Sequence, residues 1–272
     1  YTTRGMSELK AVSSNQTTGL DKDYATSYSY GKLETFNLLF PNFFGGSSVG
    51  HLSEKSHVYK VLRQNRVSKK DSKQLIQQLP LYFGPQQFTA GPVYIGTVVW
   101  LLFFIGLFTI KKPIKWVLLS LVFFSFLLAW GKYFPLLTNF FLDYFPLYNK
   151  FRTVSMILII AEFAIPLLGI LGFFQLCIEN IAANNKLRIL IKSSGILLVI
   201  GLFFLLFGKL VIDFSSSADG QFPLWFSNAL IKDRIALFNA DIIRSLIFVI
   251  AATFIIYLGI SGYFKSKFNW IH

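Results

Sequence analysis

Glu162 is the residue whose surroundings demand explanation first. It sits in the apolar run Thr153–Leu176, about nine residues from the start, which at 1.5 Å per helical residue is roughly 14 Å deep. A bilayer core is ~30 Å thick, so this carboxyl falls near the midplane. Ionisable groups at that depth are costly; they face the bundle interior, pair with polar groups, or mark proton and substrate paths. The sequence therefore predicts that Glu162 faces the helix bundle. A functional role and a structural one, in which a protonated or paired carboxyl bridges helices, are both open. Pro166, four residues on, removes a helical hydrogen bond to the Glu162 carbonyl and predicts a local kink.

Lys150 and Arg152 come next, in the string YNKFR at the mouth of the same run. An arginine fork and a lysine point charge, two residues apart where lipid headgroups begin, suit a phosphate or pyrophosphate ligand. Snorkelling of interfacial cations is the competing explanation. Arg234, Asp241 and Arg244 fall at i, i+7 and i+10 in SNALIKDRIALFNADIIRS, one polar stripe along a helix beside the membrane. Arg234 and Arg244 thus join Lys150 and Arg152 as candidate lipid-phosphate ligands. No nucleophile elbow, phosphate loop or dinucleotide fingerprint occurs. His51, His57 and His272 are scattered, and the spacing of the first two does not suit one helix face. Neither a metal nor an organic cofactor is indicated. The lone Cys177 has no disulfide or metal partner in the chain and reads as a packing residue near a helix end. Asn15–Thr17 fits a glycosylation sequon.

The elements that must position these residues are membrane helices. Hydrophobic residues make up 54% of the 272 and charged residues only 14%, too apolar for a soluble domain of this length. About five spans are expected, near 93–110, 116–130, 153–176, 195–212 and 245–264, because a peptide group in lipid must be satisfied within its own helix. The second is short, and Trp116 and Trp130 bracket it as interfacial anchors. The net charge of +13 lies between the apolar runs, which fits membrane topology and anionic headgroups better than nucleic acid. Basic residues are densest in KKPIK, around Lys186, Arg188 and Lys192, and at Lys265 and Lys267. Those breaks and the tail 265–272 are expected in the cytoplasm, which leaves 1–92 outside as an extracytoplasmic segment.

Two further stretches, 135–146 and 227–243, read as helices lying in the membrane interface, the first with Asn139 and Asp143 on its wet face. Within 1–92, ETFNLLF and KQLIQQL predict short helices ended by proline, and Gly45–Ser48 a turn. YKVLRQNRVSKKDSK reads as a solvated basic helix, with headgroup binding as the alternative. A polar opening of this length before the first span predicts a fragment of a longer polytopic protein. The expected fold is an all-α polytopic integral membrane protein with membrane lipids as its first partners.

Four strings occur in order: SYSYGKLETFNLLFPNFFGGSS, YFGPQQFTAGPVYIG, FPLYNKFRTVSMILIIAEFAIPLL and DRIALFNADIIRSLIF. Together they resemble the later part of the YfhO family of bacterial polytopic membrane proteins, in the version found in Bacteroidetes. The resemblance implies a GT-C-like architecture in the bacterial inner membrane, with its site facing outside. It implies transfer of a sugar from a polyprenyl-phosphate-linked donor to a cell-envelope acceptor. The catalytic acid would then lie upstream of this chain, the fragment alone would be inactive, and Lys150 with Arg152 would stabilise the departing phosphate. Asp143, Asp233 and Asp241 would bind sugar hydroxyls or make local ion pairs. The alternative is a transporter or flippase of a lipid-linked or anionic substrate, with Glu162 as a coupling carboxylate.

Overall fold

A computed structural model describes residues 22–86, 88–145, 148, 153–178 and 181–261. Its elements are helices: α1 (Lys22–Ala25), α2 (His57–Gln64), α3 (Lys69–Leu75), α4 (Thr97–Thr109), α5 (Ile114–Ala129), α6 (Pro135–Tyr144), α7 (Leu158–Ile178), α8 (Ala183–Val211) and α9 (Leu224–Ile260), with short 3-10 turns between them. Among the described residues the only β pairing is an isolated bridge between Gly50 and Leu79. The protein is an all-α membrane protein. Three stretches are long and apolar enough to cross a bilayer, Val154–Ile178, Ala183–Val211 and Leu224–Ile260. α4 and α5 are apolar but shorter, with 13 and 16 residues. At 1.5 Å per residue α4 reaches only about 20 Å, so it needs its flanks to cross.

Small residues set the helix packing. α4 and α7 meet at Gly106, Gly169 and Gly172; a Cβ added to Gly172 would lie 2.1 Å from the Gly106 Cα. Backbones this close are typical of membrane helix pairs, where dispersion and not water expulsion holds helices together. Ala161, Ala164, Ile165 and Leu168 continue the same buried face of α7, against Phe103 of α4 and Leu118 and Val122 of α5. The outward faces carry Ile159, Phe163, Ile170 and Phe174 of α7, Val199 and Leu206 of α8, and Ile247, Ile250 and Phe254 of α9, all exposed. Such a belt belongs against lipid.

Residues 22–92 form a cap over one end of the bundle, where α4, α7 and α9 begin and α5 and α8 end. Phe36, Phe40, Phe43 and Phe44 pack onto Leu101 of α4, Phe204 of α8, Phe214, and Phe238 of α9 in one continuous core. Phe43 stands edge-on to Phe204, with ring centroids 4.8 Å apart. Polar latches finish the joint. Trp130 Nε1 donates to Thr35 Oγ1 at 2.9 Å, Trp100 Nε1 to the Leu38 carbonyl at 3.1 Å, and Thr97 Oγ1 to the Leu39 carbonyl at 2.9 Å. The turn at Gly45 and Gly46 has φ of +85° and +84°, and a side chain at Gly45 would strike the Leu81 carbonyl, so glycine alone fits there.

Two sequence expectations change. The stretch 227–243 is not a separate helix; it is the first half of α9, 37 residues long. At 1.5 Å per residue α9 measures about 55 Å, some 25 Å more than a ~30 Å bilayer core. The surplus packs on the cap: Phe226, Ala229 and Leu230 close a second core with Val58 and Leu62 of α2 and Ile76 just past α3. The reason is that this half of the helix has apolar partners in the cap, so it need not lie flat in the interface. Cys177 is exposed near the end of α7 and does not fill a packing position.

Candidate functional site

The polar stripe of α9 is buried against the cap. Arg234 is 0% exposed, the largest fully buried side chain among the described residues. Its guanidinium grips Asp219 through Nη1–Oδ2 at 2.6 Å and Nη2–Oδ1 at 2.9 Å. The same nitrogens donate to the Phe214 carbonyl at 2.9 Å and the Pro80 carbonyl at 2.7 Å. A planar fork reading one carboxylate and two carbonyls locks three chain segments together. Asp233 accepts the backbone N–H groups of His57 and Val58, each at 2.8 Å, and so caps the start of α2. Asp241 accepts the Asn42 N–H at 2.7 Å and pairs with Arg244. Arg234 therefore does not meet a lipid phosphate, because every face of its guanidinium is enclosed by protein. Arg244, with its side chain half exposed, remains at the surface.

Glu162 is likewise not where the sequence puts it. Its side chain is exposed on the outer surface of α7, not in the bundle interior. The buried stripe of α7 is already filled by Ala161, Ala164, Ile165 and Leu168, and one residue's step around the helix carries Glu162 away from it. Lys150, Arg152 and the sequon at Asn15 lie outside the described residues. Asp143 pairs with Lys22 at 2.8 Å in solvent. No group of three or more His, Cys, Asp and Glu side chains comes together among the described residues.

The polar centre of the molecule is one that the sequence does not announce. Glu34, in the 3-10 turn Leu33–Leu38, is 1% exposed. Its Oε1 accepts the Tyr82 hydroxyl at 2.6 Å and Gln86 Nε2 at 2.8 Å, and Oε2 accepts the Gly31 N–H at 2.9 Å. The Tyr82 oxygen in turn accepts the Gln86 N–H at 2.9 Å. Burial pushes the Glu34 carboxyl above its usual range, while Tyr82, Gly31 and Gln86 pull it back. None of the ion pairs among the described residues includes Glu34. Tyr30, also 1% exposed, stands beside it; its hydroxyl approaches Asn37 without forming a hydrogen bond of ordinary geometry. Burial, then the charges of Glu34 and Glu162, push that hydroxyl strongly upward.

Two spaces meet at Glu34. One is a small chamber of about 40 Å³ that Tyr30, Glu34, Asn37, Tyr82 and Gln86 line, together with Gly91–Val93 and Ser155. The other is an open groove of about 330 Å³ lined by Gly31, Lys32, Glu34, Phe44, Pro85 and Tyr133. The chamber holds a few non-hydrogen atoms, whereas the groove reaches the ~300 Å³ lower bound of ordinary ligand sites. Carboxyl, phenol and amide groups beside an aromatic-walled groove can orient hydroxyls and cations. A lone carboxylate in ETFNLLF gives no sign in sequence that it is buried, since its partners lie 48 and 52 residues away. Compared with known protein families, with curated proteins and with solved structures, the chain matches none of them.

Proposed function

We propose that this chain is the later part of a YfhO-type, GT-C-like membrane glycosyltransferase that moves a sugar from a polyprenyl-phosphate donor to a cell-envelope acceptor. In this reading it sits in a bacterial inner membrane with the cap outside. The observation that carries the reading is the groove between the cap and Tyr133, just past the end of α5. It is rimmed by the exposed cation Lys32 and walled by Tyr133 and Phe44. Lys32 suits a phosphate, and the aromatic walls with Glu34 suit a sugar ring. The density of Lys111, Lys112, Lys115, Lys186, Arg188 and Lys192 at the opposite end supports a cytoplasmic placement of that end. The chain's part is to bind and orient the donor; the acid that activates the acceptor is expected upstream.

The transport reading drew on Glu162 as an interior carboxylate, and its outward position lends that reading no support. The test is photo-crosslinking of a polyprenyl-phosphate sugar analogue to the protein in native membranes. Labelling at Tyr133 and Phe44, competed by unlabelled donor and lost in Lys32→Ala, is the expected result. Labelling spread over the lipid belt and indifferent to competition would overturn the proposal.

A further inference from the structure

Glu34 is a buried acid in a strongly basic chain, and yet among the described residues it forms no ion pair. Buried charges are normally paired, because desolvation is otherwise uncompensated. Three acceptors at or beside it each carry at most one hydrogen bond, and an oxygen can accept two. Oε2 accepts the Gly31 N–H, Asn37 Oδ1 accepts the Phe44 N–H at 3.2 Å, and the Tyr30 oxygen has no partner. All three residues line the same 40 Å³ chamber. Gly91, Pro92, Val93 and Ser155, which lie in the chain just before α4 and α7, complete its lining.

We propose that this chamber binds a primary ammonium group, from a lipid headgroup or from a soluble amine. An ammonium has three N–H donors and one positive charge, matching three acceptors and one unpaired carboxylate. Its compact charge with three rotatable donors suits acceptors on several sides better than a planar guanidinium fork. A hydroxyl would satisfy the acceptors but leave the charge uncompensated. A divalent cation would want six or more oxygen ligands, with more than one carboxylate among them. The two flanking tyrosine rings favour a cation further. Glu34 also borders the groove proposed for the donor sugar, so the test reads amine binding directly and not sugar transfer.

The test uses the full chain, purified in a zwitterionic detergent, with thermal unfolding as readout. Ethanolamine should raise the midpoint by ~3 °C or more at saturation, because a ligand of the folded state alone stabilises it. Glycerol, tetramethylammonium and sodium chloride at equal concentration should not. Glu34→Gln should abolish the shift, and Tyr30→Phe, a change of one atom, should raise the apparent Kd at least fivefold. The same titration in nanodiscs separates the sources. A response lost in phosphatidylethanolamine discs but kept in phosphatidylcholine discs identifies the lipid headgroup; a response kept in both identifies a soluble amine. Equal responses to ethanolamine and tetramethylammonium, no response to ethanolamine, or an unchanged Kd in Tyr30→Phe would overturn the proposal.

Discussion

Arg234 and Asp219 face one another as a two-pronged pair, at 2.6 and 2.9 Å, with neither side chain more than 8% exposed. The pair ties the first third of α9 to the turn Ser217–Gln221, and further Nη hydrogens tie it to the chain at Pro80 and Phe214, while the buried Nε–H has no partner among the described residues. A cation that reads as a ligand for phosphate in the sequence is thus the fastener of the cap.

Replacing it should be severe. Arg234→Met leaves the Asp219 carboxylate buried without its partner, which costs about 3–5 kcal/mol. Arg234→Lys should recover little, because one ammonium cannot serve a carboxylate and two carbonyls in a plane. The expected outcome is release of the cap: rapid proteolysis between residues 50 and 92, with the transmembrane fragments intact. Protease resistance equal to that of the unmodified protein would refute the fastener role.

How much of this was legible beforehand depends on the range of the interaction. Span positions follow from local composition, and α4, α5 and α7 lie where the apolar runs are, whereas α8 begins at Ala183 and takes in Lys186, Arg188 and Lys192, which the sequence places in a break before the span. The stripe Arg234, Asp241 and Arg244 was also legible as a stripe, since helical spacing is local. What it touches was not. Asp219 is 15 residues from Arg234, Pro80 is 154 away, and Asn42 is 199 away from Asp241. The outward position of Glu162 has the same origin. Periodicity in an almost uniformly apolar helix does not reveal which face is inside; the glycines and alanines at 161, 164, 169 and 172 carry that signal.

Those small residues make the second prediction. Gly172→Leu puts a side chain into the Gly106 backbone, and α4 and α7 must separate. Overpacking of this kind costs about 1–3 kcal/mol. Gly195→Leu in α8, where a Cβ meets nothing within 4 Å, is the matched control. The yield of folded protein should drop several-fold for the first variant and stay unchanged for the second. Equal yields would contradict the tight α4–α7 contact.

Glu162 supplies the third. An ionisable side chain on the outer face of a spanning helix is there at a cost, which reaches ~2.5 kcal/mol at a helix centre and is smaller near the end where Glu162 lies, the fifth residue of α7. Glu162→Leu in this chain, reconstituted in bilayers, should therefore unfold at higher denaturant than the parent. A lower midpoint would mean that the carboxyl makes a stabilising contact beyond the surface described here.

The last prediction concerns pH and Glu34. Its carboxyl is raised above the ordinary value of 4.5 in the folded state, with burial as the leading cause. Between that ordinary value and the raised one, the folded protein holds a proton that the unfolded chain has released. Stability follows the difference in bound protons, unfolded minus folded, which is negative in this window. Glu34 must therefore make the protein less stable as pH rises from 4.5 through its folded value, with no further change above it. Glu34→Gln has no proton to lose, so its stability should fall less across the same interval, and the two curves should run parallel at higher pH. The measurement is the unfolding midpoint of both proteins at matched ionic strength, in half-unit steps from pH 4 to pH 8. If the parent gains stability relative to Glu34→Gln as pH rises, the donors Tyr82, Gly31 and Gln86 outweigh burial, and the carboxyl is held down instead of up.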